Sequence, residues 1–113
     1  MTLCDIIEKL ELSVLTSRVY EDAEVTGGYT CDLLSNVMAG GRPGNVWITM
    51  QTHQNVLAVA GIKDLAGIVM VNGRQPDEQT IIKAEDEKVT ILGTDESAFA
   101  ISGRLYQLLE KQQ

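Results

Sequence analysis

Val46-Trp47-Ile48-Thr49-Met50 is the stretch that decides the fold of this chain. It is the first of three short apolar runs, and the other two are residues 68–71 and 89–92. Each run is followed by a polar segment and then by a stretch with helical spacing. Runs rich in Val and Ile that alternate with helices are typical of βαβ units with parallel strands. The pattern therefore predicts an α/β fold, a three-layer domain with a mainly parallel central sheet.

The polar segments after the three runs are expected to lie side by side. They are residues 51–55, 72–76 and 93–96. Crossovers between parallel strands are nearly always right-handed, so the three segments should share one edge of the sheet. Open α/β sheets bind their ligands at this edge, where the carboxyl ends of the strands lie. The sequence thus indicates where a ligand would bind without indicating which ligand it is.

The length and charge of the chain limit its organisation and its partners. At 113 residues it is about the size of one domain, so residues 1–113 are expected to form a single domain. The net charge is −7 and no basic run is present to neutralise the phosphates of nucleic acid or an acidic membrane surface. No apolar stretch approaches the roughly 20 residues that span a bilayer. Neither nucleic acid nor a membrane is expected as a partner.

The first residues and the cysteines indicate the compartment. Residues 1–10 carry Asp5 and Glu8 and lack a basic segment, which argues against an ordinary signal peptide. Cys4 and Cys31 fit no paired disulfide framework, and reduced thiols are the simplest interpretation. Both features predict a cytoplasmic protein.

Short elements are predicted before the first apolar run. Thr2, with Asp5 three residues later, reads as a capping box that opens an amphipathic helix. Residues 13–16 and 18–20 are predicted to be short strands at one side of the sheet. These elements add an edge to the three-strand core without changing the fold class.

A glycine pair lies in the segment that follows. Residues 21–28 are acidic and then glycine-rich, which predicts a loop. Within it, Thr26-Gly27-Gly28 contains adjacent glycines that allow positive φ, and successive N–H groups in such a turn can cradle an anion. The alternative is an ordinary tight turn. Beyond the loop, Asp32 is placed to cap a second helix.

The helix predicted after the first polar segment is unusual in composition. Residues 56–62 are apolar all round, so the helix must be covered on more than one side. Two interpretations remain open. A partner subunit covers the helix, which predicts a homodimer, or the first helix of the same chain lies across it.

The three polar segments differ in their suitability for an anionic ligand. Acids at 95–96 and 77–78 already complement the helix starts there and would repel a phosphate. Residues 52–55 include no acid and precede a helix start, and Arg74 could supply a counter-charge. Beside its acids, Thr94 is expected to contact a neutral part of the ligand or none. The candidate ligand-binding residues are therefore Thr26, Gly27, Gly28, Thr52, His53, Asn55, Asn72, Arg74 and Thr94.

No complete catalytic set is present in the sequence. His53 is the single histidine, and bonding to a helix end is the alternative to a catalytic or metal-binding role. It does not stand at metal-ligand spacing with Cys4 or Cys31. Residues 39–45 lack the Lys-Ser/Thr ending of a P-loop. We therefore expect no enzyme activity, no metal and no cofactor.

Several separate motifs give the chain a family resemblance. The sequence resembles the DRTGG domain family, with Thr26, Gly27 and Gly28 matching the name-giving motif, and Glu24 and Val25 standing where the family name has Asp and Arg. The likeness extends over residues 24–29, 32–38, 46–49, 51–53, 55–56 and 72–74.

The resemblance implies a fold and a role. The fold would be similar to that of the N-terminal domain of HPr kinase. The role would be that of a regulatory or assembly module, often dimeric, as in regulated pyrophosphatases, with catalysis elsewhere. A small anionic ligand such as an adenine nucleotide is the ligand that we expect. Short stand-alone members occur in anaerobes, some near iron-hydrogenase genes, so docking on a redox enzyme or its assembly machinery without any small-molecule ligand is the alternative.

Overall fold

Four parallel strands form the centre of the molecule, with one antiparallel strand at an edge. The computed structural model describes residues 1–112, in which the strands follow the order β1-β5-β4-β3-β2. Strands β2 to β5 are parallel and β1 is antiparallel to β5. The elements are α1 (Leu3–Leu10), β1 (Ser13–Val14), β2 (Gly27–Thr30), α2 (Leu34–Gly40), β3 (Asn45–Thr49), α3 (Asn55–Lys63), β4 (Gly67–Met70), α4 (Glu78–Glu87), β5 (Ile91–Gly93) and α5 (Ala98–Glu110).

Helices cover both faces of the sheet. On one face, α1 and α5 pack against side chains such as Val46 and Ile48 of β3. On the other face, α2, α3 and α4 surround Trp47, Ile68 and Met70. Successive strand residues point to opposite faces, and β3, β4 and β5 are buried along their whole length because helices cover both faces. The predicted three-layer α/β domain with a mainly parallel sheet is confirmed.

The first helix begins as the sequence predicts. The Thr2 side chain accepts a hydrogen bond from the backbone N–H of Asp5, whose carboxylate accepts one from the backbone N–H of Thr2 at 3.0 Å. This capping box satisfies donors that a helix start otherwise leaves free. It sets α1 against the face that α5 also covers.

The predictions for the segment between α1 and α2 need correction. Residues 18–20 form no strand, and of the predicted loop 21–28 the last two residues belong to β2. Gly27 and Gly28 do not have positive φ, so they form neither a tight turn nor an anion-binding nest. A Cβ atom added to Gly28 would lie 2.8 Å from a methyl group of Leu105. Glycine therefore serves here to let α5 approach the strand.

The apolar helix α3 is largely covered by its own chain. Val56, Leu57, Val59 and Ala60 are buried between the sheet and the neighbouring helices α2 and α4. The interpretation that α1 covers α3 is wrong, because α1 lies on the opposite face of the sheet. Ile62 remains 70% exposed. The composition of α3 is thus explained mainly within one chain, and the homodimer stays a prediction.

Within residues 1–112, no helix is both long and apolar enough to cross a membrane.

The turn before β3 depends on a glycine. Gly44 has φ +81°, and a Cβ atom there would lie 2.9 Å from the carbonyl oxygen of Glu24. We expect Gly44→Ala to lower the free energy of unfolding by about 2 kcal/mol or more, since a left-handed conformation alone costs roughly 1–2 kcal/mol for other residues. Urea denaturation measures the change. The control is Gly61→Ala in α3, where a Cβ atom meets nothing within 4 Å and the stability should rise slightly. Equal stability of the two variants would contradict the role given to Gly44.

Candidate functional site

The three polar segments meet at the carboxyl edge of the sheet. The backbone N–H of Asn72 donates to the carbonyl of Glu96, and that of Gly73 donates to the carbonyl of Thr94, each at 2.9 Å. The side-chain amide of Asn72 contacts the sulfur of Met50 at 3.2 Å. The segment after β4 therefore contacts the segment after β5 and reaches Met50 at the end of the first apolar run, as the right-handed crossovers predict.

Asp32 joins the end of β2 to the same edge. Its carboxylate accepts hydrogen bonds from the Thr49 hydroxyl at 2.8 Å and from the backbone N–H of Met50 at 2.7 Å. The prediction that Asp32 caps α2 is wrong, because that helix begins after Leu33 without a side-chain cap. The Thr49 hydroxyl is buried and needs a partner, which the carboxylate supplies.

The helix starts at this edge differ in how they are capped. Asp77 caps α4 by accepting from the backbone N–H of Thr80 at 2.8 Å, and Ser97 caps α5. In contrast, α3 begins after Gln54 with no side-chain bond from that residue and no acid in its first turn. The N–H groups of Asn55, Val56 and Leu57 are already bonded to atoms of residues 53 and 54, so this helix start offers the positive end of a dipole and not free donors.

His53 contributes to the start of α3. Its Nδ1 atom accepts a hydrogen bond from the backbone N–H of Asn55 at 3.1 Å. This contact supports the interpretation of His53 as a residue that bonds to a helix end. His53 itself is exposed.

The segment around His53 has no acid of its own, but neighbouring segments bring carboxylates to it. Asp32 binds the backbone of Met50, and Asp77 lies close enough for the imidazole of His53 to influence it. The pKa of Asp77 lies below its usual range, chiefly because the Thr80 side chain and backbone donate to the carboxylate, with His53 adding a smaller effect. Residues 52–55 therefore contain no acid, as expected, but carboxylates from other parts of the chain lie close to them in the folded structure.

Arg74 is the cation that the three polar segments provide. Its side chain is exposed and forms no hydrogen bond or ion pair with the residues that the structure describes. Arg104 differs, because it pairs with Glu96. A guanidinium group free of protein partners can form two hydrogen bonds with a phosphate or carboxylate.

The predicted ligand-binding residues fall into two groups. Thr52, His53, Asn55, Asn72, Arg74 and Thr94 lie at the carboxyl edge or directly beside it. Thr26, Gly27 and Gly28 lie at the opposite end of the sheet.

The register of β2 shows this separation directly. Gly27 pairs with Asn45, the first residue of β3, while the carboxyl edge begins after Thr49. Four residues of strand place the two ends roughly 13 Å apart. The Thr26 hydroxyl donates to the carbonyl of Pro43 at 2.7 Å and accepts from the Asn45 amide at 3.1 Å. It thus holds the turn before β3.

The sequence did not predict the groove between β2 and α5, although three of the predicted ligand-binding residues, Thr26, Gly27 and Gly28, line it. It has a volume of about 380 Å³, and its walls include Gly28, Thr30, Ser102 and Tyr106. The Thr30 and Ser102 hydroxyls share a hydrogen bond of 2.7 Å across it. The signal for this groove was present in α5, where Tyr106 lies off the apolar stripe that packs into the core.

The described residues contain no group of three or more His, Cys, Asp or Glu side chains that could hold a metal ion.

Comparison with known proteins identifies the architecture. No protein-family model matches the chain, and no curated protein is similar to it in sequence. A similar solved structure is that of the CBS and DRTGG domains of the regulatory region of Clostridium perfringens pyrophosphatase, complexed with its activator diadenosine tetraphosphate. The TM-score is 0.71 at 15% identity, over 92% of this chain and 45% of that chain. The two share a fold. The fold of this chain thus agrees with the fold expected from the DRTGG resemblance, and the chain spans less than half the length of that regulatory region.

The bonds of Asp32 lead to a prediction about stability. We expect Asp32→Ala to lower the free energy of unfolding by about 1–3 kcal/mol, because it leaves the buried Thr49 hydroxyl and a strand-end N–H without their acceptor. Urea denaturation at neutral pH measures the loss. Asp86→Ala, an exposed change in α4, is the matched control and should not destabilise the fold. A loss in Asp32→Ala no larger than in the control would contradict the contact.

The cap at Asp77 makes a contribution that depends on pH. Its pKa is lower in the folded chain, so the contribution is full above the ordinary aspartate pKa and disappears as the pH falls through the folded value. We expect the stability difference between the unmodified chain and Asp77→Asn to shrink over that acidic range. Urea denaturation across the range measures it, with Asp86→Asn as the control. A difference that stays constant with pH would show that the carboxylate charge contributes nothing.

Proposed function

We propose that this chain is a single, non-catalytic regulatory domain that senses a small anionic ligand, with an adenine nucleotide as the ligand class. The observation that carries the proposal is the shared fold with a regulatory region complexed with diadenosine tetraphosphate. That region is larger than this chain and contains CBS domains as well, so the ligand's position there does not transfer residue by residue. The site must be argued from this chain's own residues.

The carboxyl edge is the ligand site that we propose. Arg74 would bind a phosphate, and the positive dipole end of α3, which has no acid in its first turn, would complement its charge. Asp32 and Asp77 lower the positive potential nearby, so the phosphate depends on Arg74 more than on the helix dipole. Thr52, His53, Asn55 and Asn72 would supply the remaining polar contacts, with Thr94 beside a neutral part of the ligand.

The titratable groups at this edge support a non-catalytic role. The Nδ1 atom of His53 is engaged with the helix backbone, and the carboxylates of Asp32 and Asp77 are engaged with Thr49 and Thr80. These bonds account for the three groups as structural parts of the strand ends and helix starts. Free Cys4 and Cys31 fit a reducing compartment, and we place the domain in the cytoplasm. The alternative of a ligand-free accessory protein for a redox enzyme has no support from the comparisons.

Isothermal titration calorimetry with AMP and diadenosine tetraphosphate tests the proposal. We expect Arg74→Ala to weaken binding by about 1.5–3 kcal/mol, the range for a hydrogen bond to a charged group. The matched control is Arg42→Ala, because Arg42 is also exposed but lies before β3, at the amino end of the sheet. Its affinity should equal that of the unmodified chain.

Two results would count against the proposal. The absence of binding for both nucleotides at millimolar concentration would exclude the ligand class. Binding that is unaffected by both Arg74→Ala and His53→Ala would place the ligand away from the carboxyl edge.

A further inference from the structure

The carboxylate of Asp32 has one oxygen engaged and one oxygen without a protein partner. Its Oδ1 atom accepts from the Thr49 hydroxyl at 2.8 Å and from the backbone N–H of Met50 at 2.7 Å. Its Oδ2 atom forms no hydrogen bond or ion pair with any residue of the described range 1–112. The structural bonds of Asp32 therefore use half of its carboxylate, and the residue is exposed.

Asp32 is held in place at its backbone as well as at its side chain. The side-chain amide of Gln51 donates to the backbone carbonyl of Asp32 at 2.8 Å. Both parts of the residue are thus bonded to the end of β3 and to the residues directly after it. An acceptor that is fixed in this way loses little freedom when it binds a donor. The Oδ2 atom is therefore a preorganised hydrogen-bond acceptor at the carboxyl edge.

The two carboxylates near His53 differ in the use that the fold makes of their charge. Asp77 caps α4, and a negative charge is favourable at a helix start. Asp32 caps no helix, since α2 begins without a side-chain cap. The amide oxygen of an asparagine could accept the same two bonds from Thr49 and Met50. The fold therefore accounts for one oxygen of Asp32 but not for its charge.

Asp32 and Arg74 lie on opposite sides of the end of β3. Asp32 follows β2 and Arg74 follows β4, and β3 lies between these two strands. Two strand spacings amount to roughly 10 Å. Between the two residues, Met50 is 38% exposed, and its sulfur contacts the Asn72 amide at 3.2 Å. The carboxyl edge thus has a cation on one side of β3, an apolar surface at its end and a free acceptor on the other side.

We propose that the Oδ2 atom of Asp32 accepts a hydrogen bond from the ribose 2′-hydroxyl of the nucleotide, so that the site selects ribonucleotides over deoxyribonucleotides. This inference rests on the proposed function and adds the recognition of the sugar. A carboxylate repels the phosphate, so it must contact a neutral part of the ligand that carries a donor. Ribose hydroxyls are such donors, and their bonds to a carboxylate are charge-assisted. In dinucleotide-binding α/β sheets an acidic residue binds the same hydroxyl.

Calorimetric titration of the full chain with AMP and with 2′-deoxyadenosine 5′-monophosphate tests the proposal. The unmodified chain should bind AMP about 10-fold more tightly or better, the effect of one hydrogen bond to a charged group. Asp32→Asn should reduce this preference to about 3-fold or less, because a neutral hydrogen bond has roughly half the strength of a charge-assisted one. The ratio of the two affinities cancels the effect of the lost charge on the phosphate. Urea denaturation should show Asp32→Asn folded, since its amide oxygen still accepts from Thr49 and Met50.

The matched control is Asp77→Asn, which removes a carboxylate charge from the same edge and should keep the full preference for AMP. Inosine 5′-monophosphate, which lacks the amino group of adenine, tests that group as the alternative donor. The proposal is overturned by equal affinity for AMP and its deoxy form, by a preference that Asp32→Asn leaves unchanged, or by an Asp32→Asn effect on the preference for AMP over the inosine nucleotide instead. In each case AMP binding and its dependence on Arg74 would stand. Absence of binding by every nucleotide would contradict this inference and the proposed function together.

Discussion

Burial of β3 on both faces is the constraint on which the rest of the structure depends. Val46 and Ile48 face α1 and α5, while Trp47 faces α2 and α3. A strand of this kind needs a helical layer on each side. Parallel neighbours then require helical crossovers, and the crossovers deliver every connecting segment to one edge. The carboxyl edge is thus a product of core burial, and its polar residues occupy the positions that the core does not need.

The sequence predicts this part of the fold because hydrophobicity alone defines it. Residues 46–50, 68–71 and 89–92 are short apolar runs of the kind that a sheet covered on both faces buries, and their parallel order follows from the helices between them. β2 escaped prediction because Gly27 and Gly28 have low strand propensity, and only its pairing with β3 and its contact with Leu105 make it a strand. The parallel direction of β2 places Thr26 at the amino end of the sheet, away from the carboxyl edge. Long-range contacts carry that information.

The electrostatics of the candidate site also depend partly on local sequence and partly on long-range contacts. The absence of acids in residues 52–55 is visible in the sequence, but the arrival of Asp32 and Asp77 is not. Both carboxylates are fixed by bonds to Thr49 and Thr80, so their positions depend on strand ends and helix starts that lie far apart in the chain. The local charge of a site is therefore set by tertiary packing. Arg74 is the candidate counter-charge for a phosphate in the sequence and also in the structure, because no described residue neutralises it.

The two outer strands have a consequence for solubility during folding. The interior strands are short, apolar and rich in β-branched residues, a composition that favours stacking between chains. They are flanked by β1, with two residues, and by β2, with four residues of which two are glycines. Short edges of this kind offer few free N–H and C=O groups to an incoming strand. Each outer strand is therefore a poor template for pairing with a strand of another chain, and this protects the apolar strands between them from intermolecular pairing.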